Sequence, residues 1–300
     1  MKLPTIKQLY YFVALEKNQH FGKAAKECFV SQSAFSVAIK ELELQLGVQL
    51  VDRTNKNVTI TLTGREVATQ ARLCLREMEY LTEIAQSNKK PLTGKLNLGV
   101  IPTIAPFLLP KLMPSLRKAY PDLQLYLREA TTLSVHRHLM DGELDLILIA
   151  LPYKLSNVEI MPLFKDHFAL ACHKETTILN PKKYDINTLP AESILLLEDG
   201  HCLRNHALSA CHIKSQDTVS RFAASSLLTL IGMVDSDIGI TYLTEMSQDS
   251  TLLHNTNVVT YPLEDFSYRE IGLAWRKGSS RTEEFTLLGK LIQRIYAISV

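Results

Sequence analysis

Residues 20–53 read HFGKAAKECFVSQSAFSVAIKELELQLGVQLVDR, and this stretch decides the fold of the N-terminal part of the chain. It begins with a short Ala-rich helix and a break, after which Ser31 is a suitable N-cap for a helix over 32–45. The stretches 51–53 and 58–61 alternate as a two-stranded wing does. With another amphipathic helix just upstream, this order predicts a winged helix-turn-helix whose second helix enters the DNA major groove. A small helical bundle is the alternative that the pattern leaves open.

The outward face of the second helix carries small polar side chains, which let a backbone approach DNA, and basic residues on helix and wing can meet phosphates. Residues 1–90 contain 13 Lys and Arg against 9 Asp and Glu, a net charge of +4 that a nucleic-acid module and an ordinary solvated surface both accommodate. The residues predicted to contact DNA are Ser31, Gln32, Ser33, Ser36, Lys40, Arg53 and Lys56.

Beyond residue 63 the apolar residues change to a heptad spacing, which predicts a helix that pairs with a second copy of itself. A cysteine on this seam is interpreted as a packing residue. Polar residues ending in Pro91 mark the domain boundary. The predicted dimer seam consists of Val67, Ala71, Cys74, Met78 and Leu81.

The remainder alternates strands and helices. Residues 95–150 read as β-α-β-α-β, which predicts a parallel sheet. Further strands are predicted at 168–173, 193–197, 238–242 and 271–276, before a closing helix.

Residues 195–211 read LLLEDGHCLRNHALSAC and contain two of the five cysteines. Asp199-Gly200 ends an apolar strand, and helical spacing follows, so Cys202 is expected at a helix N-terminus, where the dipole favours thiolate. Cys211 lies nine residues on, about 13 Å away along one helix. A disulfide needs Cα atoms within about 7 Å, so this pair can join only if the segment refolds. Spacing alone leaves a redox switch and two buried structural thiols equally open.

Composition limits the kind of protein that this sequence can encode. A chain of 300 residues with 46% apolar and 21% charged residues is ordinary for a globular protein of two or more domains. No apolar run approaches the roughly 20 residues that span a membrane, and no signal-peptide core is present, so a cytoplasmic protein is expected without a membrane partner. An odd cysteine count without zinc spacing predicts neither a secreted disulfide framework nor a metal site, and no cofactor is expected.

Residues 9–53, together with the TLTG run at 61–64, resemble the DNA-binding domain of LysR-type transcriptional regulators. LLLEDGHCLRNHALSAC is very similar to the redox segment of their peroxide-sensing OxyR subgroup. The resemblance implies an α/β fold: a winged helix-turn-helix (1–63), a long dimerisation linker helix and hinge (64–90), and a two-lobed effector domain like periplasmic binding proteins (91–300). Lobe I is expected at about 91–164 and 268–300, and lobe II at about 165–267.

The same resemblance implies a site in the cleft between the lobes. Cys202 would attack peroxide, and Cys211 would condense with the resulting sulfenic acid to form a reversible disulfide. The residues implied to bind peroxide or activate the thiol are Thr103, Thr132, His201, Arg204 and Arg269.

The implied protein is a regulator rather than an enzyme. Its implied partners are operator DNA, RNA polymerase, hydrogen peroxide, a glutaredoxin- or thioredoxin-like thiol reductant, and copies of itself in a homodimer and homotetramer. Ser33 replaces the usual proline, which leaves operator preference open. Ala223 and Leu228 replace a familiar arginine and glutamate near the expected subunit contact.

Two other functions stay open. One is a LysR-type regulator of a small organic ligand with non-switching cysteines. The other is a thiol peroxidase, which a DNA-binding domain does not favour.

Overall fold

The computed structural model describes residues 3–53, 58–86, 91–181, 189–211, 213, 216–248, 250–263 and 267–299. The chain divides into two compact units, Met1–Pro91 with His138–Leu144 and Leu92–Arg137 with Asp145–Val300. Across the described residues, no helix combines the length and apolar character needed to cross a membrane.

The N-terminal unit is a winged helix-turn-helix, as predicted. Its elements are α1 (Ile6–Asn18), α2 (Phe21–Glu27), α3 (Gln32–Leu46), the antiparallel strands β1 (Val51–Arg53) and β2 (Val58–Ile60), and α4 (Leu62–Gln86). The Ser31 side chain accepts a hydrogen bond from the backbone N–H of Ala34 at 3.3 Å, which caps α3. Gly47 ends the helix in a left-handed conformation with φ of 67°. Phe12, Phe35 and Leu50 are fully buried between these elements and form the centre of the core.

The heptad residues of α4 do not share one environment. Ala71 is buried and Val67 is half-buried, because the first turns of α4 pack against the core of the DNA-binding domain and contact α1. Cys74, Met78 and Leu81 are exposed. The later half of the predicted seam therefore presents an apolar face, whereas its start also serves the fold of its own chain.

Gly64 is confined at the start of α4. A Cβ at this position would collide with the carbonyl oxygen of Leu50 and lie 2.8 Å from Cγ2 of Ile60. We expect Gly64→Ala to destabilise the N-terminal unit by about 1–3 kcal/mol, measured as a lower urea midpoint, because backbone must move to admit the methyl group. Gly22→Ala is the control, since its added methyl would meet only side-chain atoms, of His20 at 3.1 Å and of Gln32 at 3.3 Å. Equal midpoints for the two variants would contradict this packing.

The second unit contains a seven-stranded sheet and a two-stranded sheet. The larger has the order β10-β6-β11-β5-β3-β4, with β9 beside β6, and the smaller pairs β7 with β8. The elements are β3 (Gly94–Val100), α5 (Ala105–Ala119), β4 (Leu123–Glu129), α6 (Thr132–Met140), β5 (Leu146–Leu151), β6 (Val158–His173), β7 (Ile194–Leu197), α7 (Cys202–Ala210), β8 (Val219–Ala224), α8 (Leu227–Asp235), β9 (Thr241–Thr244), α9 (Glu245–Gln248), β10 (Val258–Pro262), β11 (Tyr268–Arg276) and α10 (Thr282–Ser299). The strand β3 pairs in parallel with both β4 and β5, which confirms the predicted β-α-β-α-β arrangement.

The long strand β6 changes its pairing partners along its length. Its residues up to His167 pair with β11, and from Phe168 onward it pairs with β9 and β10. The sequence predicted only residues 168–173 of this strand, and it predicted neither β8, α8 nor β10. The first part of β6 alternates partly buried and exposed residues and contains Pro162, which obscures a strand in the sequence.

Candidate functional site

Arg269, near the start of β11, is fully buried. Its Nε donates to Oδ2 of Asp166 at 2.9 Å, its Nη1 donates to Oγ1 of Thr103 at 2.8 Å, and its Nη2 donates to the Thr103 carbonyl at 2.8 Å. The guanidinium thus joins the loop after β3 to the strands β6 and β11. The structure brings together two of the predicted peroxide-site residues, Thr103 and Arg269.

Asp166 is a site residue that the sequence analysis missed. Its side chain is fully buried, and Oδ1 also accepts a hydrogen bond from the backbone N–H of Met246 at 3.0 Å. Asp166 stands directly opposite Arg269 in the pairing of β6 with β11. A buried guanidinium needs a buried partner charge, so the positive charge of Arg269 is largely committed to Asp166. Asp166 stands between Lys165 and His167 in the sequence, so no local pattern marks it as a buried residue.

Cys202 is the first residue of α7, and Cys211 is its C-cap, so the predicted helix start is correct. Both thiols are free and buried, with exposed fractions of 5% and 7%. Nine residues of helix separate their Cα atoms by about 13 Å, far beyond the roughly 7 Å that a disulfide tolerates. The folded helix therefore excludes the bond, and forming it requires α7 to unwind.

The other three predicted site residues have different surroundings. Arg204 lies with Nε 3.2 Å from Oδ1 of Asp199 and Nη1 3.4 Å from the Leu197 carbonyl, so it braces the turn before α7. His201 is the N-cap of α7, but its side chain makes no capping bond. Thr132 is buried at the start of α6, and its Oγ1 has no hydrogen-bond partner among the described atoms. A buried hydroxyl without a protein partner can donate to or accept from a small bound molecule such as water.

His206 is a second residue that the sequence analysis missed. It lies one turn after Cys202 and is 8% exposed. Its Nε2 is 3.0 Å from the Pro152 carbonyl, which can only accept, so Nε2 carries the proton and Nδ1 is a free acceptor. Nδ1 is buried and makes no hydrogen bond with any described atom. The spacing of four residues from Cys202 places both on one helix face, and this was the signal available in the sequence.

His206 should make stability depend on pH. Burial lowers the pKa of His206 below its ordinary 6.5, and the Arg269 charge lowers it further. Above pH 6.5 the folded and unfolded chains are both neutral here. Below pH 6.5 this histidine binds a proton in the unfolded chain but stays neutral in the folded chain. The free energy of unfolding therefore falls by up to about 1.4 kcal/mol per pH unit. We expect the urea midpoint to drop between about pH 7 and pH 5.5 by more than it does in His206→Gln, which can keep the bond to Pro152 without titrating.

A cavity of about 830 Å³ opens beside α7. The loop after β5, the start of β11 and one face of α7 form its wall. The lining residues are Pro152, Tyr153, Lys154, Cys202, Asn205, His206, Ser209, Ala210 and Tyr268. Cys202 and His206 therefore face a space much larger than the one their own side chains fill.

Comparison with known proteins identifies the chain. Residues 6–65 match the bacterial regulatory helix-turn-helix proteins of the lysR family, and residues 89–295 match the LysR substrate binding domain. The chain belongs to the LysR family. It is accordingly a DNA-binding transcriptional regulator and not an enzyme.

Individual LysR-family relatives extend the likeness over nearly the whole chain. The HTH-type transcriptional regulator EstR of Acinetobacter baylyi is 37% identical over 98% of this chain and 98% of its own. The hydrogen peroxide-inducible genes activator of Haemophilus influenzae is 38% identical over 91% of each chain. The full-length structure of an OxyR cysteine-to-aspartate variant from Pseudomonas aeruginosa has a TM-score of 0.80 at 33% identity, covering 98% of this chain and 96% of that one. The resemblance to OxyR expected from the redox segment is confirmed at the level of the whole fold.

The residues predicted to contact DNA lie mostly on the exposed surface of α3. Ser31, Gln32, Ser33 and Lys40 are exposed, and Ser36 is half-buried. Two further residues are predicted to contact DNA. Arg53 is the last residue of β1, and Lys56 lies outside the described residues.

The cysteines other than Cys202 should differ in their reactivity toward alkylating reagents. Burial raises the pKa of Cys28 and Cys172, and it raises that of Cys211 to about 12, whereas Cys74 is exposed. Because the thiolate is the reactive form, we expect iodoacetamide to alkylate Cys74 well before those three. Peptide mass mapping over time measures the order, and urea-unfolded protein, in which all cysteines should react, is the control. Early labelling of Cys211 would contradict its burial in α7.

Proposed function

We propose that this LysR-family regulator senses peroxide by oxidation of Cys202 and a reversible disulfide with Cys211. The observation that carries the proposal is that two buried thiols occupy opposite ends of one helix. A bond between them and an intact α7 are mutually exclusive, so a single covalent change selects between two local folds.

The first chemical step occurs at Cys202. Its thiolate attacks one peroxide oxygen, forming an S–O bond as the O–O bond breaks, and hydroxide leaves to be protonated to water. Thr103 supports this step, because its Oγ1 accepts from Arg269 and keeps its own hydrogen free to donate. The unpaired hydroxyl of Thr132 supplies a second small donor and acceptor. Arg269 acts in this proposal mainly by fixing Thr103, since its charge is balanced by Asp166.

The second step joins the two cysteines. Cys211 attacks the sulfenic sulfur of Cys202, an S–S bond forms, and the oxygen leaves as water. The pKa of Cys211, about 12, keeps this thiol protonated while it is buried, so the step awaits unwinding of α7. A glutaredoxin- or thioredoxin-like thiol reductant returns the pair to two thiols.

Hydrogen bonds that hold α7 in place must break when the helix unwinds. His206 holds it to the Pro152 carbonyl, and the Ser267 hydroxyl donates to the Ala210 carbonyl at 3.1 Å. We propose that their loss alters the effector domain, the contacts between subunits and the spacing of the DNA-binding heads. In this account dimers form through α4, including its exposed residues Cys74, Met78 and Leu81, and pair into tetramers. The change in operator contacts then alters recruitment of RNA polymerase.

Operator footprinting tests the proposal. Reduced protein, peroxide-treated protein and protein reduced again with dithiothreitol are compared on one operator. We expect the footprint to change with peroxide and to return with reductant. Cys211→Ser is the matched control, since it can form the sulfenic acid but not the disulfide, and it should keep the reduced footprint. Identical footprints for reduced and oxidised wild-type protein would refute the proposal.

A second candidate function is regulation by a small organic ligand, with cysteines that do not switch. The cavity of about 830 Å³ beside α7 is the observation that favours it. Under this alternative, an organic inducer would change the footprint of a variant without Cys202.

A further inference from the structure

The cavity beside Cys202 is far larger than hydrogen peroxide requires. Hydrogen peroxide has two oxygen atoms and occupies at most about the volume of two water molecules, each of about 30 Å³. The cavity measures about 830 Å³, which lies within the roughly 300–1,000 Å³ of sites for organic ligands. The cavity next to Cys202 is therefore large enough to hold the organic group of an organic hydroperoxide.

The residues of the cavity wall indicate which chemical groups the bound organic molecule has. Tyr153, Tyr268 and Pro152 offer apolar and aromatic surface. Lys154 is a cation on the same wall, and none of the lining residues that the structure describes is acidic. Lys165 places its Nζ 4.2 Å from the centroid of the Tyr268 ring, which adds a second positive charge next to the wall. An apolar molecule with a carboxylate complements this arrangement.

His206 adds a hydrogen-bond acceptor to the cavity wall in a fixed orientation. It is more than nine-tenths buried on this wall, with Nε2 fixed on Pro152 and Nδ1 unpaired. Unpaired buried acceptors are rare in folded proteins and call for a partner. A donor group on a bound ligand would supply that partner.

We infer that the cavity beside α7 binds the organic part of a hydroperoxide that carries a carboxylate, such as a fatty-acid hydroperoxide, and presents its O–O bond to Cys202. The inference rests on the proposed oxidation of Cys202 and specifies the oxidant class. The thiolate attacks the terminal oxygen, an S–O bond forms and the O–O bond breaks. The organic alkoxide leaves and takes up a proton to become an alcohol, and Cys202 becomes a sulfenic acid.

Competing oxidants test the inference on the full-length protein. The rate of Cys202 oxidation is followed by dimedone trapping with hydrogen peroxide, linoleic acid hydroperoxide and uncharged cumene hydroperoxide. We expect linoleic acid hydroperoxide to react at least about tenfold faster than cumene hydroperoxide, a difference of about 1.4 kcal/mol. Lys154→Gln should lower the rate with the acid and leave the rate with cumene hydroperoxide unchanged.

A cavity-filling variant provides the second arm. Ser209 is exposed on α7 and lines the cavity, so Ser209→Trp should slow linoleic acid hydroperoxide about tenfold and leave hydrogen peroxide unchanged. Asn205→Trp makes the same test if the first variant fails to fold. Equal rates for both organic oxidants, or a Trp variant that slows all oxidants alike, would overturn the inference and leave the proposed function standing. Failure of every oxidant to modify Cys202 would overturn both.

Discussion

Replacing Cys202 by serine should abolish the peroxide response of this regulator, leaving transcription of a target promoter at its uninduced level. A serine hydroxyl at the start of α7 preserves the helix terminus but cannot form a sulfenic acid or a disulfide. The side chains have similar size, so the fold and the operator affinity of the reduced form should persist. In vitro transcription with and without peroxide measures the effect directly.

Cys172→Ser is the matched control for that experiment. Cys172 is also a buried thiol, but it lies in the β6 strand, and burial raises its pKa. This variant should respond to peroxide as the wild type does, after allowance for any loss of stability. A Cys202→Ser protein that retains full induction by peroxide would remove the cysteine switch from the account and favour a non-covalent ligand.

The second large effect is expected at the buried ion pair. Arg269→Met should lower the free energy of unfolding of the C-terminal unit by about 3–5 kcal/mol, because it leaves the Asp166 carboxylate buried without its partner. It also removes two hydrogen bonds to Thr103. Urea unfolding followed by tyrosine and tryptophan fluorescence gives the value.

Two companion variants separate charge from hydrogen bonding. Thr103→Val removes one hydroxyl and should cost only about 1–3 kcal/mol. The double variant Arg269→Met with Asp166→Leu removes both charges and should recover much of the loss, since apolar residues can replace a buried ion pair at little cost. If Arg269→Met alone were as stable as the double variant, the pair would not have the buried character that the structure gives it.

Local sequence patterns predicted the parts of the site that depend on neighbouring residues. The N-terminus of α7 at Cys202 follows from an apolar strand, an Asp-Gly break and helical spacing. The cap at Ser31 and the wing that follows α3 depend on equally local signals. Each of these features is set by residues within a few positions of one another, so the chain order was sufficient.

The parts that the sequence did not disclose depend on contacts between distant residues. Asp166 and Arg269 meet because β6 pairs with β11 across about a hundred positions. His206 reaches Pro152 only when α7 packs beside the end of β5. Heptad spacing predicted α4 as a dimer helix but could not show that Ala71 is buried in its own chain. Tertiary packing decides such pairings, and one sequence does not encode them in its spacing.

The most direct test of the redox account is a tryptic map of full-length protein after mild peroxide treatment under non-reducing conditions. Cleavage after Lys183, Arg204 and Lys214 places Cys202 and Cys211 on separate peptides. We predict a cross-linked pair of peptides 184–204 and 205–214 that disappears on adding reductant. If Cys202 instead stays a free thiol, or oxidises beyond sulfenic acid without joining Cys211, the disulfide switch is contradicted.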